Sequence, residues 1–494
     1  MNWVFPLAPF LAPSIGAIAC MLIQALAPGA AKSNTYVAYA ALLVGLITAG
    51  IGFGSPEAGK LLFDGQILPD PLFYFISSLL MVIGMVTVVV AKPYLKREKL
   101  PVGEFNVLVQ LAIAGGALMA CGNDLLNLFI GLEVLSLSVY VLVGYRRTSI
   151  RASEGAVKYF LLGAFSAGLF LYGVALMYGL TGSLQLAAIK AYFLAHPQTP
   201  ELAYVALALM ISGMAFKVAA FPFHMWAPGV YEGAPIPVTG FMAAAVKVAA
   251  MAMLLRLVYG AFWPLVHVWQ PVFAALAVGT MLVGNVMAMA QTNLKRLMGY
   301  SAIAHTGYLF IGMASLDSSM AGASASAILF YLVAYSLTTL AGFACMAILS
   351  SEGEEYQEID QLAGVGRAHP VLATIMTIVM LSLAGMPPTA GFFAKYTLFS
   401  AAVSQGHWGL ALTGIVLSML SLGYYLRVVV RLWMTAGEAP IIDKVGFSPV
   451  QIVAGYLAVA IVWLGLAGGS FTVMFPGIQP MIDWTQRAVT PLLG

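Results

Sequence analysis

Four ionisable side chains stand inside long apolar stretches of this sequence, where a charge is expensive. Three are lysines, Lys217, Lys247 and Lys395. The fourth is Glu133, the only one of the 19 acidic residues that falls deep within a predicted membrane span. A charge at the bilayer centre costs about 2.5–3.5 kcal/mol even on lenient insertion scales. Ion pairs that merely join helices are one explanation, but apolar residues of similar size would serve as well, so we favour a functional role.

An ammonium group in a partly dry interior is suited to loading and releasing a proton. Burial disfavours the charged form of a lysine, and a nearby carboxylate favours it. At 4 Å and an effective dielectric of 20, that attraction is about 4 kcal/mol. Movement of Glu133 relative to a lysine could therefore switch the proton affinity of the lysine. The pattern predicts a proton relay, since a sodium site would need carbonyl and carboxylate oxygens.

Two further residues, His305 and Lys158, are candidates for the same relay. His305 lies in the middle of its predicted span and could pass a proton between Lys247 and Lys395. A buried histidine that is hydrogen-bonded to a neighbouring helix is the alternative. Lys158 lies near the end of its span, so its side chain could instead extend to the membrane surface, as we expect for Arg256.

The elements that must position these groups are membrane-spanning helices. Hydrophobic residues make up 61% of the 494 residues and charged residues 8%, against about 25% charged residues in ordinary soluble domains. This composition excludes a soluble globule and a disordered chain. The apolar runs are continuous rather than alternating, which disfavours a β-barrel. The sequence has no basic block suited to nucleic acid, no nucleotide-binding glycine motif, and no disulfide or iron–sulfur pattern among its three cysteines.

Fourteen predicted spans account for the apolar stretches at about 20 residues per crossing. The chain is therefore expected to be an all-α polytopic membrane protein. The spans are about 3–27, 35–53, 72–91, 106–122, 124–145, 153–179, 201–229, 237–262, 269–290, 297–315, 322–349, 370–404, 408–434 and 450–473. An even number of spans places both termini on the same side of the membrane.

Lysine and arginine are divided unevenly between the two faces. The loops after spans 3, 5, 9 and 13 are basic, and the positive-inside rule places them in the cytoplasm. Both termini are then periplasmic. No positively charged region precedes the first span, since the first basic residue is Lys32, so we interpret residues 1–27 as a first helix rather than a signal peptide. The acidic run 352–360 on the inner face is either a solvated loop or a docking surface.

Two predicted spans are interrupted by proline. Pro222 breaks the seventh span five residues after Lys217, and Pro387 and Pro388 break the twelfth. Proline removes a backbone donor, and freed backbone groups are tolerated in a membrane only where protein or a wet cavity satisfies them. His224 follows the first break and could line such a cavity. Paired breaks five spans apart predict an inverted repeat of spans 4–8 and 9–13; two ordinary proline kinks are the alternative.

The repeat hypothesis divides the chain into four segments. They are an N-terminal three-helix segment (1–105), a first repeat (106–262), a second repeat (263–435) and a C-terminal helix with its tail (436–494). Each broken span then lies within its own repeat.

One long run of residues resembles a known family. The stretch FKVAAFPFHMWAPGVYEGAPIPVT, from Phe216 to Thr239, resembles the antiporter-like membrane subunits of respiratory complex I. Its YEGxPxPVT portion is similar to the subunit N group in particular. The segments Asn127–Glu133, Gln291–Ser301 and Gly385–Lys395 match the same family pattern. The resemblance covers essentially the whole chain.

The resemblance implies roles for particular residues. The proton-relay residues would be Glu133, Lys217, Lys247 and Lys395, and the accessory polar axis would contain Lys158, Lys295 and His305. It also implies a proton-translocating subunit of a bacterial NADH:quinone oxidoreductase in the inner membrane. Such a chain binds no metal or cofactor of its own, because NADH, flavin, iron–sulfur clusters and quinone belong to partner subunits.

The partners that the resemblance implies are other membrane-arm subunits of complex I, including a sister antiporter-like subunit and the small multi-helix subunits, together with membrane lipid and no nucleic acid. A subunit of a Mrp-type cation/proton antiporter is the first alternative, and the YEGxP motif argues against it. A secondary carrier for an organic solute is the second alternative. The buried groups are spaced along a line of helices rather than gathered at one pocket, which argues against a carrier.

Overall fold

The computed structural model describes residues 3–492 except 28, 57, 199, 318–321, 351–354, 356, 438–447 and 467–478. Over these residues the chain is built from helices, with isolated backbone bridges and no strand. Nine helical segments of the described part are long and apolar enough to cross a membrane. The predicted all-α membrane fold is confirmed at this level, whereas fourteen spans stay a prediction. Glu352 and Glu354 of the acidic run lie outside the described residues.

In the first half of the chain, side-chain caps fix the starts of three helices. Asp70, Asp124 and Ser149 each accept a hydrogen bond from a first-turn backbone N–H, as is typical of helix N-caps. The helices are α1 (Ala8–Leu26), α2 (Ala31–Phe53), α3 (Pro71–Arg97), α4 (Val102–Cys121), α5 (Leu125–Val143), α6 (Ile150–Thr181), α7 (Leu186–Ala195), α8 (Glu201–Lys217), α9 (Ala227–Gly233), α10 (Ile236–Phe241) and α11 (Lys247–Leu257).

In the second half of the chain, Asn293 caps the helix that begins at Leu294, and Ser448 and Gln451 form a capping box at the helix that begins at Pro449. The helices are α12 (Val266–Met289), α13 (Leu294–Ala314), α14 (Ala323–Leu349), α15 (Val365–Ala368), α16 (Pro370–Ala384), α17 (Ala390–Ser404), α18 (Trp408–Met434), α19 (Pro449–Trp463) and α20 (Gln479–Val489).

Helical structure is interrupted at both proline positions. Between α8 and α9 the chain turns at residues 218–226, and between α16 and α17 it turns at 385–389. The Phe221–Pro222 and Pro387–Pro388 peptide bonds are cis. At the two breaks α8 and α16 therefore end, and α9 and α17 begin.

The helical run that contains Lys247 lies at the centre of the molecule. Every residue from 234 to 259 is buried. Two π-helical segments, Met242–Val246 and Val258–Phe262, bracket α11, and Lys247 is the first residue after the former. Wide π turns of this kind are frequent at functional sites. The outer surface is formed by α1, α2, α6 and α18, which expose many large apolar side chains.

Arg256 does not extend to the membrane surface, so that prediction was wrong. Its side chain is 2% exposed, and its Nη2 lies 2.6 Å from Oδ1 of Asp70, which is 1% exposed. Arg256 Nε also donates to the carbonyl of Ala120 at 2.5 Å, while Asp70 accepts from the N–H of Phe73. Because the guanidinium has polar partners inside the protein, the side chain does not need to extend to the membrane surface. This ion pair ties α11 to the start of α3 and the end of α4.

Candidate functional site

Lys217 is buried at the end of α8, directly before the first break. Its side chain is 4% exposed, and its Nζ donates a hydrogen bond to Ser136 Oγ of α5 at 2.5 Å. Two aromatic faces cover the ammonium, with the ring centroids of Tyr140 and Tyr159 at 5.0 and 5.5 Å. Cation–π contacts of this kind stabilise a desolvated cation. The lysine is thus held by a hydroxyl and two rings.

Glu133 lies one turn before Ser136 on α5 and interacts electrostatically with Lys217. Among the described residues it forms no direct ion pair, and its buried Oε1 has no hydrogen-bond partner. An unsatisfied buried oxygen is costly, which makes this carboxylate a natural acceptor for a proton or a water molecule. The carboxylate and the ammonium thus interact electrostatically without a direct ion pair among the described residues.

Lys247 is 5% exposed and its Nζ donates to the carbonyl of Ala302 in α13 at 2.6 Å. The ring centroid of Tyr335 in α14 lies 4.3 Å from Nζ. The contacts that hold the ammonium are thus again neutral. A proton can leave an ammonium that is held by neutral groups without leaving a counter-ion unpaired.

His305 of α13 is buried among phenol groups. Its Nδ1 lies 2.6 Å from the hydroxyl of Tyr331 and its Nε2 lies 3.3 Å from that of Tyr425. The rings of Tyr335 and Tyr308 flank the imidazole at centroid distances of 4.9 and 5.7 Å. Both ring nitrogens therefore have a hydroxyl partner that can either donate or accept.

Lys395 reaches back across the second break to the carboxyl end of α16. Its Nζ donates to the carbonyls of Leu383 and Ala384 at 3.0 and 2.9 Å, and to Ser418 Oγ at 2.8 Å. The ring of Tyr308 lies 4.8 Å from the ammonium. The last carbonyls of a helix lack intrahelical partners and carry partial negative charge, so the broken helix supplies a ready cation site.

The aromatic rings connect these groups in a row. Tyr335 contacts both Lys247 and His305, and Tyr308 contacts both His305 and Lys395. A cavity of about 10 Å³ beside His305 extends to Leu383, which is about the space that one water molecule needs. Polar and aromatic groups therefore span the distance from Lys247 to Lys395.

Thr306 bridges the surroundings of Lys217 and Lys247. Its hydroxyl lies 2.7 Å from the carbonyl of Val218, the residue after Lys217, and 3.2 Å from that of Ala302, the acceptor of Lys247. Sequence reasoning missed Thr306, Ser136 and the tyrosines, since none is charged. Their one signal was position, since Thr306 adjoins His305 and Ser136 lies one turn after Glu133.

Lys158 is not brought into this row. Its side chain is 59% exposed on α6 and pairs with Glu154, four residues earlier on the same exposed face. His224, in the first break, packs near the ring of Phe221 at a centroid distance of 5.9 Å, and its Nδ1 has no described partner.

Lys295 and Glu355 form a second buried pair away from the row. Lys295 Nζ lies 3.0 Å from Glu355 Oε2, and the two side chains are 0% and 7% exposed. Burial raises the pKa of the Glu355 carboxyl, but the Lys295 charge and hydrogen bonds from Tyr94, Lys295 and Gln357 outweigh it, so this pKa lies below its ordinary value. For Glu355 the alternative of a solvated loop is wrong, because the carboxylate pairs with a buried ammonium.

Within the described ranges, no group of three or more His, Cys, Asp or Glu side chains is arranged to hold a metal ion. The chemistry that the described residues offer is proton transfer among lysine, histidine, carboxylate and hydroxyl groups. Lys217, Lys247, His305 and Lys395 occupy one interior row, whereas Lys158 and the Lys295–Glu355 pair lie outside it.

Comparison with known proteins places this arrangement in context. The family described as NADH:quinone oxidoreductase/Mrp antiporter, TM, matches residues 122–421. NADH-quinone oxidoreductase subunit N of Trichlorobacter lovleyi is 38% identical over 483 residues, which cover 96% of this chain and 95% of the relative.

Solved structures give the same relationship. A chain of respiratory complex I from Thermus thermophilus with bound aureothin superposes with a TM-score of 0.78 at 32% identity, covering 94% of this chain and 98% of that one. A chain of the Mrp complex from Dietzia sp. DQ12-45-1b shares the fold, with a TM-score of 0.83 at 20% identity and coverage of 100% and 98%.

Proposed function

The chain belongs to the NADH:quinone oxidoreductase/Mrp antiporter membrane family, among its subunit N proteins, and on this premise we propose that it translocates protons for a NADH:quinone oxidoreductase. The observation that carries the proposal is the interior row of three ammonium groups whose hydrogen-bond and ring contacts, among the described residues, are hydroxyls, carbonyls and tyrosine rings. Intramembrane ionisable groups of this kind are expected to lie on proton relays.

In the proposed relay, Lys217 and Glu133 form the first station, Lys247 the middle one and Lys395 the far end. Thr306 supports transfer between Lys217 and Lys247, since its hydroxyl touches the carbonyls beside both. His305 supports transfer from Lys247 towards Lys395 through its hydroxyl partners. Protons would enter and leave at different ends of this row.

The inverted repeat, with segments 106–262 and 263–435, is part of the proposal. Two matching arrangements support it: a backbone bridge joins Asp124, the cap of α5, to Gln185, and another joins Asn293, the cap of α13, to Glu358. In addition, α4 packs along α5 and α12 packs along α13. Each half then supplies one broken helix to the row.

The energy for transport would come from quinone chemistry in neighbouring subunits. We place the chain in the membrane arm of a bacterial inner-membrane complex, beside a sister antiporter-like subunit and small multi-helix subunits, with both termini periplasmic. NADH, flavin, iron–sulfur clusters and quinone would be bound by those partners. Purification of the chain with flavin and iron–sulfur subunits would support this, and isolation with Mrp-type partners alone would contradict it.

The test of the relay is Lys217→Ala in the assembled complex. We expect proton pumping into membrane vesicles to fall while assembly and electron input to an artificial acceptor persist, because the first station is lost. Lys92→Ala is the matched control, since Lys92 also lies over a tyrosine, Tyr36 at 5.8 Å, but on the exposed surface. Full pumping by an assembled Lys217→Ala complex would refute the relay.

A further inference from the structure

An open polar cavity of about 440 Å³ lies between the segment after α5 and the start of α13. Its walls carry both signs of charge, and its lining includes Arg146, Arg151, Asn293, Glu355, Gln357 and Glu358. The arginines belong to one of the basic loops, which the positive-inside rule assigns to the cytoplasmic face. An open recess with polar walls thus reaches from that face into the protein.

Glu355 lines this cavity, is almost fully buried and is held in a defined position. The segment that follows it is fixed to α13, because Leu294 N–H donates to the carbonyl of Gln357 at 2.6 Å and Ile359 N–H donates to that of Thr292 at 2.9 Å. The carboxylate itself accepts hydrogen bonds from the Tyr94 hydroxyl of α3 and from Gln357 Nε2. Surface acids rarely have so many partners.

Lys295 lies on the protein side of Glu355. Its fully buried Nζ contacts Glu355 and also donates to the carbonyl of Ala234 at 2.5 Å. Ala234 ends α9 and leads into the buried run that contains Lys247. The hydroxyl of Thr239 lies 3.4 Å from the same carbonyl. The pair therefore stands between the polar cavity and the interior of the first broken region.

We propose that Glu355 is a proton-uptake residue that collects protons from this cavity and delivers them to Lys295. The inference rests on the proposed function and adds to it a cytoplasmic point of access. In the resting pair, Glu355 is a carboxylate and Lys295 an ammonium. When Lys295 passes its proton inward to a discharged lysine amine of the relay, Glu355 takes a proton from the aqueous phase in the cavity and then passes it to the Lys295 amine, which restores both charges.

The order of these two steps follows from the charges around Glu355. The titratable and charged groups around it are Lys295 of α13, Tyr94 of α3, Glu98 directly after α3, Arg146 before α6, Arg151 in the first turn of α6, and Glu358 of its own segment. Lys295 is the charge in direct contact. Loss of that charge removes the main attraction that lowers the pKa of Glu355, so the carboxylate binds a proton more readily once Lys295 has discharged.

The experiment measures proton pumping by the intact complex in everted vesicles, where the cavity faces the external buffer. Glu355→Gln keeps the size of the side chain and removes the titratable carboxyl group. We expect a loss of about tenfold or more, because a positioned proton-transfer group typically contributes at least that much. The deficit should grow as external pH rises, and added imidazole, small enough for the cavity, should restore pumping. Asp360→Asn is the control, since Asp360 is 77% exposed and pairs with Arg431.

Several outcomes would overturn the proposal. Undiminished pumping by assembled Glu355→Gln, with Lys217→Ala inactive, would reject the uptake role and leave the proposed function standing. Undiminished pumping by both variants would reject the proposed function itself. A Glu355→Gln defect that neither pH nor imidazole alters, and that Glu355→Asp does not relieve, would mean that the residue only holds its segment in place.

Discussion

Replacement of Gly385 by alanine should displace the Lys395 side chain without changing the lysine itself. Gly385 directly follows α16 and has φ +83°, in the left-handed region that favours glycine. A Cβ at this position would lie 2.8 Å from Cδ and 3.3 Å from Nζ of Lys395. Gly406, with φ +81° and no atom within 4 Å of an added Cβ, offers the same backbone conformation in open space.

The two variants separate backbone strain from displacement of the lysine. Left-handed backbone costs an L-residue roughly 1–2 kcal/mol, and both variants bear it. In Gly385→Ala, Lys395 Cδ must also retreat by about 0.7 Å to reach ordinary carbon contact. Because the hydrogen bonds of Nζ to Leu383 and Ala384 are 3.0 and 2.9 Å long, such a shift breaks one of them. A hydrogen bond to a charged group is worth about 1.5–3 kcal/mol, so the total is about 2.5–5 kcal/mol.

The assay combines thermal unfolding of the purified complex with proton pumping in vesicles. Gly385→Ala should be the less stable variant and should lose pumping, whereas Gly406→Ala should lose only the shared strain energy and should pump normally. Equal stability and equal pumping in the two variants would refute the idea that the carboxyl end of α16 holds the lysine.

Two further predictions concern the ion pairs that lie outside the row. Arg256→Met should destabilise the protein by about 3–5 kcal/mol, because it leaves the Asp70 carboxylate unpaired in the interior. Adding Asp70→Asn should recover most of this loss while keeping the cap of α3. A double-mutant cycle on the free energy of unfolding measures the coupling, and additive effects would count against it. Acid should release the segment that contains Glu355. The pKa of the Glu355 carboxyl in the folded protein lies below its ordinary value of 4.5. Its contact with Lys295 therefore contributes stability above the ordinary pKa, and this contribution is lost as pH falls through the folded pKa. The protection factor of the Ile359 N–H, which is its hydrogen exchange relative to the intrinsic rate at each pH, should fall in that range, and a protection factor that does not change on acidification would contradict the assignment.

Burial of the intramembrane lysines could be predicted from the sequence, because a charge that residue counting places in the middle of an apolar span must be shielded from lipid. Lys217, Lys247 and Lys395 are buried as expected, and helices end at both proline breaks. His305 lies between the latter two lysines, within contact of rings that touch each. These results need only the helical rise and the energetic penalty for an unpaired charge.

Rotation about a helix axis and distant partners could not be predicted. Lys158 has a depth that fits the relay, but its face of α6 is exposed. Arg256 pairs with the carboxylate of Asp70, 186 residues earlier in the chain. Glu355 lies in a loop whose composition alone indicates a solvated segment, yet it pairs with the ammonium of Lys295. Each outcome depends on which helices pack together, and no local pattern encodes that choice.

The tyrosine rings that cover the buried ammonium groups give the protein an intrinsic optical reporter. Each ring centroid lies within 4.3–5.5 Å of a lysine nitrogen that is expected to gain and lose charge. A charge so close to an aromatic face changes the electric field across the chromophore. Ultraviolet difference spectra taken during turnover should therefore show tyrosine band shifts in step with lysine discharge, and replacing Tyr335 or Tyr308 by leucine should remove the component that belongs to Lys247 or to Lys395.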